Sequence, residues 1–192
     1  MSAILRHAAN MLPYMILALP VYMIARAAYI KSKGIKPLWR RELLLLVFAV
    51  FAVGLASQTV IPKFEFGING FSILKERIHE TNLIPFKVIS QTYHEVFIGG
   101  NVAYFLINFL GNILLFIPFG LFTQLLWNIP KRRSLLIGMG ASLFIELCQL
   151  FLARGTDIDD LFLNTLGTCL GLALYLLLKK LFPRFASSFK NK

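Results

Sequence analysis

The chain has 192 residues, of which 57% are hydrophobic and only 15% are charged, and its mean hydropathy is +0.70. A soluble globular protein has too little interior to bury so many apolar side chains, so the composition excludes that class. The formal charge of +11 does not indicate binding to nucleic acid, because the basic residues cluster at the ends of apolar runs, where they orient membrane proteins and attract anionic lipid head groups.

Five apolar runs are long enough to cross a lipid bilayer, which requires about 20 consecutive residues of helix. They lie at roughly 8–29, 42–61, 102–127, 134–152 and 160–178. The first run is too long for the apolar core of a secretory signal peptide, and a basic loop follows it instead of a small-residue cleavage site. The sequence therefore predicts an all-α integral membrane protein, a bundle of about five transmembrane helices.

The longest connection between these runs, the outer loop at 62–101, contains glycines and prolines but also many Phe, Ile and Val residues. It is too apolar to be a free linker. We expect it to lie on the membrane surface or to fold back onto the helices, with a short amphipathic helix near 87–97. Since no linker separates a second domain, residues 1–192 are predicted to form a single membrane domain.

The Lys and Arg residues are unevenly divided between the two ends of the predicted helices. One end carries three short basic clusters, made of Lys31, Lys33, Lys36, Arg40, Arg41, Lys131, Arg132, Arg133, Lys179, Lys180, Arg184, Lys190 and Lys192. The other end carries most of the acidic residues, namely Glu65, Glu76, Glu80, Glu95, Asp157, Asp159 and Asp160. The positive-inside rule then predicts an external N-terminus and a cytoplasmic C-terminus.

In this orientation four helices place amide or carboxyl groups in the outer half of the membrane, and nothing polar continues through the inner halves. These groups belong to Gln58, Asn108, Asn112, Glu146, Gln149 and Asn164. A charged carboxylate at the centre of a membrane helix costs about 2.5–3.5 kcal/mol, so Glu146 is expected to face the bundle, protonated or paired. Its candidate partners are Gln149, Arg154, Arg77 and His79. The alternative is purely structural, because interhelical hydrogen bonds worth about 0.6–2 kcal/mol also hold helices together.

The connection at 153–160 admits the same two interpretations. Asp157 fits the N-cap of the fifth run, and carboxylates at 159 and 160 favour the positive end of its helix dipole. Capping does not explain why Arg154, Glu146 and Asn164 gather at the same level. The spacing of the carboxylates matches no calcium loop, and Cys148 and Cys169 have no metal-ligand spacing, so we expect neither a metal nor another cofactor.

Small residues and a proline indicate how the helices pack. Gly167 and Gly171 are spaced as GxxxG on the face that carries Asn164, which lets a neighbouring backbone approach closely. We expect that contact within the chain rather than in a dimer, and the oligomeric state stays open. Pro118 predicts a kink in the third run, and Gly120 adds local freedom.

Three stretches resemble the VanZ-like family of small bacterial membrane proteins: "NLIPF" at 82–86, "NFLGNILLFIPFG" at 108–120 and "IELCQLFLARGTDIDDLFLNTLGTCLG" at 145–171. The resemblance covers about residues 80–178, and the two preceding helices are less diagnostic. The family pattern falls on Asn82, Pro85, Phe86, Asn112, Pro118, Gly120, Glu146, Gln149, Asp157, Asp160, Asn164 and Gly167. The family is named for a member associated with teicoplanin resistance, so the resemblance implies a multi-pass protein of the bacterial cytoplasmic membrane but supplies no reaction.

Together these features predict an external polar cleft that binds an amphiphile, either a lipoglycopeptide antibiotic or the lipid-linked wall precursor that it targets. Glu146 would contact a donor on the head group, and Gln149, Asn112 and Asn164 would orient it. Arg154 and the three aspartates would form the mouth, while Asn82 and Asn108 complete the candidate set.

Two other functions remain open. An enzyme could use a protonated and an ionised carboxylate as acid and base, although the chain has no nucleophile elbow, HExxH motif or phosphate loop. Transport is the least favoured, because a transporter needs a site reachable from both sides of the membrane.

Overall fold

The computed structural model describes residues 3–61, 64–67, 70–73, 82–152 and 155–190. Five helical spans in it are long and apolar enough to cross a membrane, which confirms the predicted all-α bundle. They are α1 (Ala3–Lys33), α2 (Trp39–Thr59), the third span (Val102–Trp127), α6 (Lys131–Phe151) and α7 (Ile158–Leu181).

The third span changes its hydrogen-bonding pattern along its length. It begins with the short helix α4 (Val102–Tyr104), continues as a π-helical segment (Phe105–Leu110) and becomes regular in α5 (Gly111–Trp127). Helix α5 runs on through Pro118, so the proline does not end the span. π-Helical turns are rare and are frequently found at functional sites.

The outer loop contains regular structure. A two-stranded antiparallel hairpin, β1 (Phe64–Gly67) with β2 (Gly70–Ile73), was not predicted from the sequence. The short helix predicted near 87–97 is confirmed as α3 (Lys87–Tyr93), which continues as a π-helical turn at His94–Ile98. The last helix of the described residues is the short α8 (Pro183–Ser187), which directly follows α7.

Glycines let α5 and α7 pack with their backbones in contact. A Cβ atom at Gly167 would overlap the carbonyl oxygen of Ile113, and one at Gly171 would overlap that of Ile117. In the opposite direction, a Cβ at Gly120 would overlap the carbonyl oxygen of Thr168. The GxxxG face is therefore used within the chain, and it places the third and fifth spans side by side.

The two ends of the bundle differ in charge. The acidic end is formed by residues 82–101 and 155–160, and the basic end by residues 34–41, 128–133 and 182–190. At the basic end the guanidinium of Arg41 donates to the carbonyl oxygens of Leu126 and Phe189, which joins α2 to α5 and to the segment after α8. The acidic end carries most of the candidate site.

Candidate functional site

Asp157 precedes the first residue of α7 and also forms a hydrogen bond with the outer loop. Its backbone is extended, and its Oδ1 accepts a hydrogen bond from the Asp159 N–H at 2.9 Å, which confirms the predicted N-cap. The same oxygen accepts from Asn82 Nδ2 at 2.8 Å. Asn82 further donates its N–H to the Thr156 carbonyl and accepts from the Ile158 N–H. The outer loop therefore reaches the start of α7 through a short parallel bridge.

Asp159 holds the next part of the same loop. Its side chain is only 2% exposed, and its two carboxylate oxygens accept from the N–H groups of Phe86 and Val88, the latter at 2.7 Å. Pro85 precedes Phe86, whose φ of 65° is unusual for a residue with a bulky side chain. The carboxylate stabilises this turn and the start of α3, so both of its oxygens are occupied by backbone donors.

Glu146 lies directly behind the start of α7. It is 6% exposed, and its Oε2 accepts from the Asp157 N–H at 3.1 Å. Its partner within the described residues is therefore a backbone group rather than Gln149, one of the four side chains proposed from the sequence. Of those candidates, Arg154, Arg77 and His79 lie outside the described residues.

Asp160 joins α7 to the third span. Its Oδ1 accepts from Asn112 Nδ2, and the same amide also donates to the Asn108 carbonyl at 3.1 Å. Asn108 in turn donates to the Tyr104 carbonyl at 3.2 Å. These side chains satisfy carbonyls in and beside the π-helical segment, and they stand four residues apart on one face of the span.

These residues surround a cleft of about 250 Å³ at the acidic end. Its lining consists of Val88, Tyr104, Asn108, Gly155, Thr156, Asp157 and Asp160. A second cavity of about 280 Å³, lined in part by Gln91, His94 and Glu95, shares Tyr104 with the cleft. The Tyr104 hydroxyl donates to Gln91 Oε1 at 2.9 Å. The two cavities therefore meet at one aromatic side chain.

The sequence analysis missed four residues of the cleft lining, Val88, Tyr104, Gly155 and Thr156, and Tyr104 is the one shared by both cavities. A usable signal was present, because Tyr104, Asn108 and Asn112 follow one another at intervals of four residues on one helical face. Aromatic residues are common near the ends of membrane helices, at the boundary between lipid and water. Tyr104 fits that pattern, so its type and position alone do not indicate a binding site.

Two further predicted residues, Asn164 and Gln149, do not line the cleft. Asn164 is 4% exposed and donates to Ser142 Oγ at 2.8 Å, one turn below Glu146. Within the described part of the chain, Asn164 Oδ1 and Gln149 Oε1 have no hydrogen-bond partner. A buried polar atom without a partner costs about 1–3 kcal/mol, so a donor from water or a ligand would be stabilised there.

The expectation that nothing polar continues through the basic half of the bundle is wrong. Thr123, Gln124 and Ser134 are buried there, and Thr168 is buried near the middle of α7. Thr123 and Ser134 share a hydrogen bond, and Thr123 and Thr168 also donate to carbonyls of their own helices. Gln124 Nε2 donates to the Ile129 carbonyl at 2.9 Å and closes the end of α5. These bonds are local, which is typical of helix packing in membranes.

Among the described residues, the carboxylates of the site accept hydrogen bonds from neutral donors. Among the residues that the structure describes, Arg26–Glu42 is the one salt bridge, and it joins α1 to α2. In the same residues, no three His, Cys, Asp or Glu side chains lie close enough together to hold a metal ion. Backbone N–H groups and Asn side chains therefore supply the hydrogen bonds that the four carboxylates accept.

Five spanning helices with an interlinked set of carboxylates and amides at one end define a multi-pass membrane protein with a polar site near one membrane surface. A model of the VanZ/LLP1 family matches residues 43–179. The chain is also 30% identical to Protein VanZ of Enterococcus faecium over 136 residues, which is 68% of this chain and 74% of that protein. The chain therefore belongs to the VanZ-like family. No solved structure matches it.

Proposed function

We propose that this protein binds an amphiphilic ligand of the bacterial envelope in the cleft at its acidic end and thereby lowers susceptibility to teicoplanin. The ligand is a lipoglycopeptide antibiotic or the lipid-linked wall precursor that such a drug targets. The observation that carries the proposal is the cleft itself, where Asp157, Asp160 and Asn108 line one cavity beside Tyr104. In this proposal the protein lies in the cytoplasmic membrane with its acidic end outside.

The chemistry of the cleft favours a ligand rich in hydrogen-bond donors. Carboxylate and amide oxygens accept hydrogen bonds from the hydroxyl and ammonium groups of sugars and amino sugars. The adjoining cavity adds Gln91, His94 and Glu95, so an extended head group has further polar contacts beyond Tyr104.

The surroundings of the cleft favour an apolar tail on the same ligand. Large apolar side chains at the acidic end are exposed on the outside of the bundle, including Phe86 at 61%, Phe97 at 75% and Ile98 at 68%. An acyl chain could lie along these residues in the lipid while the head group occupies the cleft. Binding of this kind would sequester the drug or shield the precursor.

Membership of the VanZ-like family supports the biological context of the proposal. The stretches that carry the family resemblance contribute most of the cleft, since Asn108, Asp157 and Asp160 all come from them. A family associated with teicoplanin resistance fits a site for a lipidated glycopeptide better than a site for a soluble metabolite.

The proposal is tested by measuring drug susceptibility in a Gram-positive host that expresses the protein. We expect the wild type to raise tolerance to teicoplanin more than to vancomycin, because only teicoplanin carries an acyl chain. Asp160→Asn and Glu146→Gln should remove this difference at equal membrane levels, since each alters a carboxylate in or behind the cleft.

Lys87→Gln is the matched control, because it also removes a charge from the acidic end, at a residue that lines neither the cleft nor the adjoining cavity. It should retain the wild-type tolerance. If Asp160→Asn and Glu146→Gln reach the membrane in normal amounts and still give wild-type tolerance, the cleft is not the binding site.

The enzyme alternative retains one specific observation in its favour. Glu146 is buried behind the Asp157 N–H, whereas Asp160 lines the open cleft. Two carboxylates in such different environments can serve separately as acid and base. Incubation of the purified protein with a labelled wall precursor distinguishes the two functions, because an enzyme changes the precursor covalently and a binding protein returns it intact.

A further inference from the structure

The basic end of the bundle carries a large positive charge that the chain itself does not balance. In the segments 31–42, 128–134 and 179–192, the only acidic side chain is Glu42. Glu42 is already paired with Arg26, which donates to both of its carboxylate oxygens at 2.7 and 2.9 Å. The remaining Lys and Arg side chains of these segments must therefore be balanced by anions from outside the chain.

A pocket lies in this same region. It has a volume of about 580 Å³ and opens between residues 35–38, which connect α1 to α2, and residues 187, 188 and 190. Lys36 contributes positive charge from one wall and Lys190 from the other. Ile35 and Leu38 give the first wall an apolar part as well.

The second wall of the pocket is held in place before any ligand arrives. Arg41 donates to the Phe189 carbonyl at 3.1 Å, and Lys190 Nζ donates to Asn128 Oδ1 at 2.9 Å. Phe189 and Ala186 are buried against Leu125 and Tyr175. A preorganised wall reduces the entropy lost when a ligand binds.

Aromatic residues place the pocket at the level of the lipid head groups. Trp39 is 68% exposed, Phe182 58% and Phe185 51%, and all three stand at the basic end of the spans. Aromatic side chains of this kind, above all Trp, accumulate at the boundary between acyl chains and water. We therefore expect the pocket between residues 35–38 and α8 to lie at the level of the lipid phosphates.

We propose that this pocket is a binding site for the phosphate group of an anionic phospholipid. Lys36 and Lys190 attract the phosphate, and Ile35 and Leu38 contact the glycerol and the first methylene groups of the lipid. The site is independent of the cleft at the acidic end. A lipid bound there joins the connection between α1 and α2 to the C-terminal segment.

The test uses purified protein in nanodiscs of phosphatidylcholine, to which phosphatidylglycerol is added in increasing amounts. Native mass spectrometry measures lipid binding, and the unfolding temperature of the protein is recorded alongside. Lys36→Gln is the informative variant, because Lys36 is exposed and makes no hydrogen bond or ion pair within the described residues, so its loss should leave the fold intact. We expect it to weaken binding of phosphatidylglycerol about fivefold.

Lys131→Gln is the matched control, because Lys131 is an exposed lysine of the same end that does not line the pocket. It should change the affinity by less than about twofold. Equal weakening by the two variants would indicate general attraction to a basic surface and would overturn the site. Glycerol phosphate is added as a competitor of phosphatidylglycerol. If it binds the pocket at the same concentration as the lipid does, the pocket is a site for a soluble phosphate, and the lipid assignment is overturned.

Discussion

At the scale of single residues, Asp157, Asp159 and Asp160 stand within four positions of one another but accept hydrogen bonds from different parts of the chain. Asp157 accepts from Asn82, Asp159 from backbone N–H groups in the loop, and Asp160 from Asn112 on the third span. Side chains at adjacent positions on a helix point in directions about 100° apart. Carboxylates close together in sequence can therefore accept hydrogen bonds from different neighbouring segments. Only Asp157 and Asp160 line the cleft.

Replacement of Asp159 by alanine should destabilise the protein without altering the cleft lining directly. The change leaves the Phe86 and Val88 N–H groups without their acceptor, and the loss should reach at least about 2 kcal/mol of unfolding free energy. Asp159→Asn keeps one acceptor oxygen, so its free energy of unfolding should fall by less than that of Asp159→Ala. Reversible unfolding in detergent, together with proteolysis of residues 82–98, measures both effects.

Glu95→Ala provides the reference for that experiment, because Glu95 is partly exposed and, among the described residues, its side chain accepts only from Asn101 Nδ2, at 3.2 Å. A free energy of unfolding for Asp159→Ala equal to that of Glu95→Ala would show that the buried carboxylate does not hold the loop.

The predictability of these residues depends on what their partners are. The cap formed by Asp157 could be predicted because its donor lies two positions away, and capping residues precede helices in a regular way. The partners of Asp159 could not, because they are backbone N–H groups more than 70 positions away, and every residue except proline carries such a group. Glu146 was predicted as a site residue from its depth, and its bond to the Asp157 N–H could not be predicted for the same reason.

At the scale of elements, the contact between α5 and α7 depends on glycine. Gly167 and Gly171 allow the Ile113 and Ile117 carbonyls to lie against the α7 backbone. Helices that approach this closely gain dispersion contacts and weak Cα–H···O interactions, which replace the hydrophobic effect inside a membrane. The contact also sets the distance across which Asn112 reaches Asp160.

Gly171→Ala should therefore separate α5 from α7 and lower the free energy of unfolding by about 1–3 kcal/mol, since the added methyl group meets backbone atoms that cannot rotate away. Gly140→Ala is the matched control within α6, because among the described residues no atom outside the neighbouring backbone of α6 lies within 4 Å of the position that its Cβ would take. The control should be neutral or slightly stabilising. Unfolding of both variants in mixed micelles measures the difference, and similar values would contradict the packing argument.

The spans could be predicted as elements because hydrocarbon imposes their length and composition. The hairpin could not, since strands of four residues are too short for an alternating pattern to stand out. The π-helical segment Phe105–Leu110 was also invisible, because its composition is that of any apolar helix. The sequence therefore located the third span, and the structure alone shows how its irregular part positions Asn108.

At the scale of the whole molecule, charge and polarity are divided between the two ends. The acidic end holds the carboxylate and amide network and the cleft, and the basic end holds the unbalanced lysines and arginines. The family match begins at residue 43, so α1 lies outside it, and none of the described side chains of α1 from Asn10 to Lys33 is buried. The residues that the family model matches therefore belong to the other four spans and their connections.

The orientation of the bundle decides whether the proposed ligand can reach the cleft. The positive-inside rule predicts that the acidic end is outside, because the basic clusters resist translocation. Ser90→Cys at the acidic end and Ser187→Cys at the basic end test this in a variant whose two cysteines, Cys148 and Cys169, are replaced by alanine. Both serines are exposed, and both substitutions are conservative.

A membrane-impermeant maleimide should label Ser90→Cys on intact cells and Ser187→Cys only after permeabilisation. The pairing makes the measurement internally controlled, because each variant reports on one end and permeabilised cells show that both thiols can react. The reverse pattern would place the cleft in the cytoplasm. A lipoglycopeptide outside the cell could not reach it there, so the proposed function would fail, while the phospholipid site would keep its chemistry and move to the opposite leaflet.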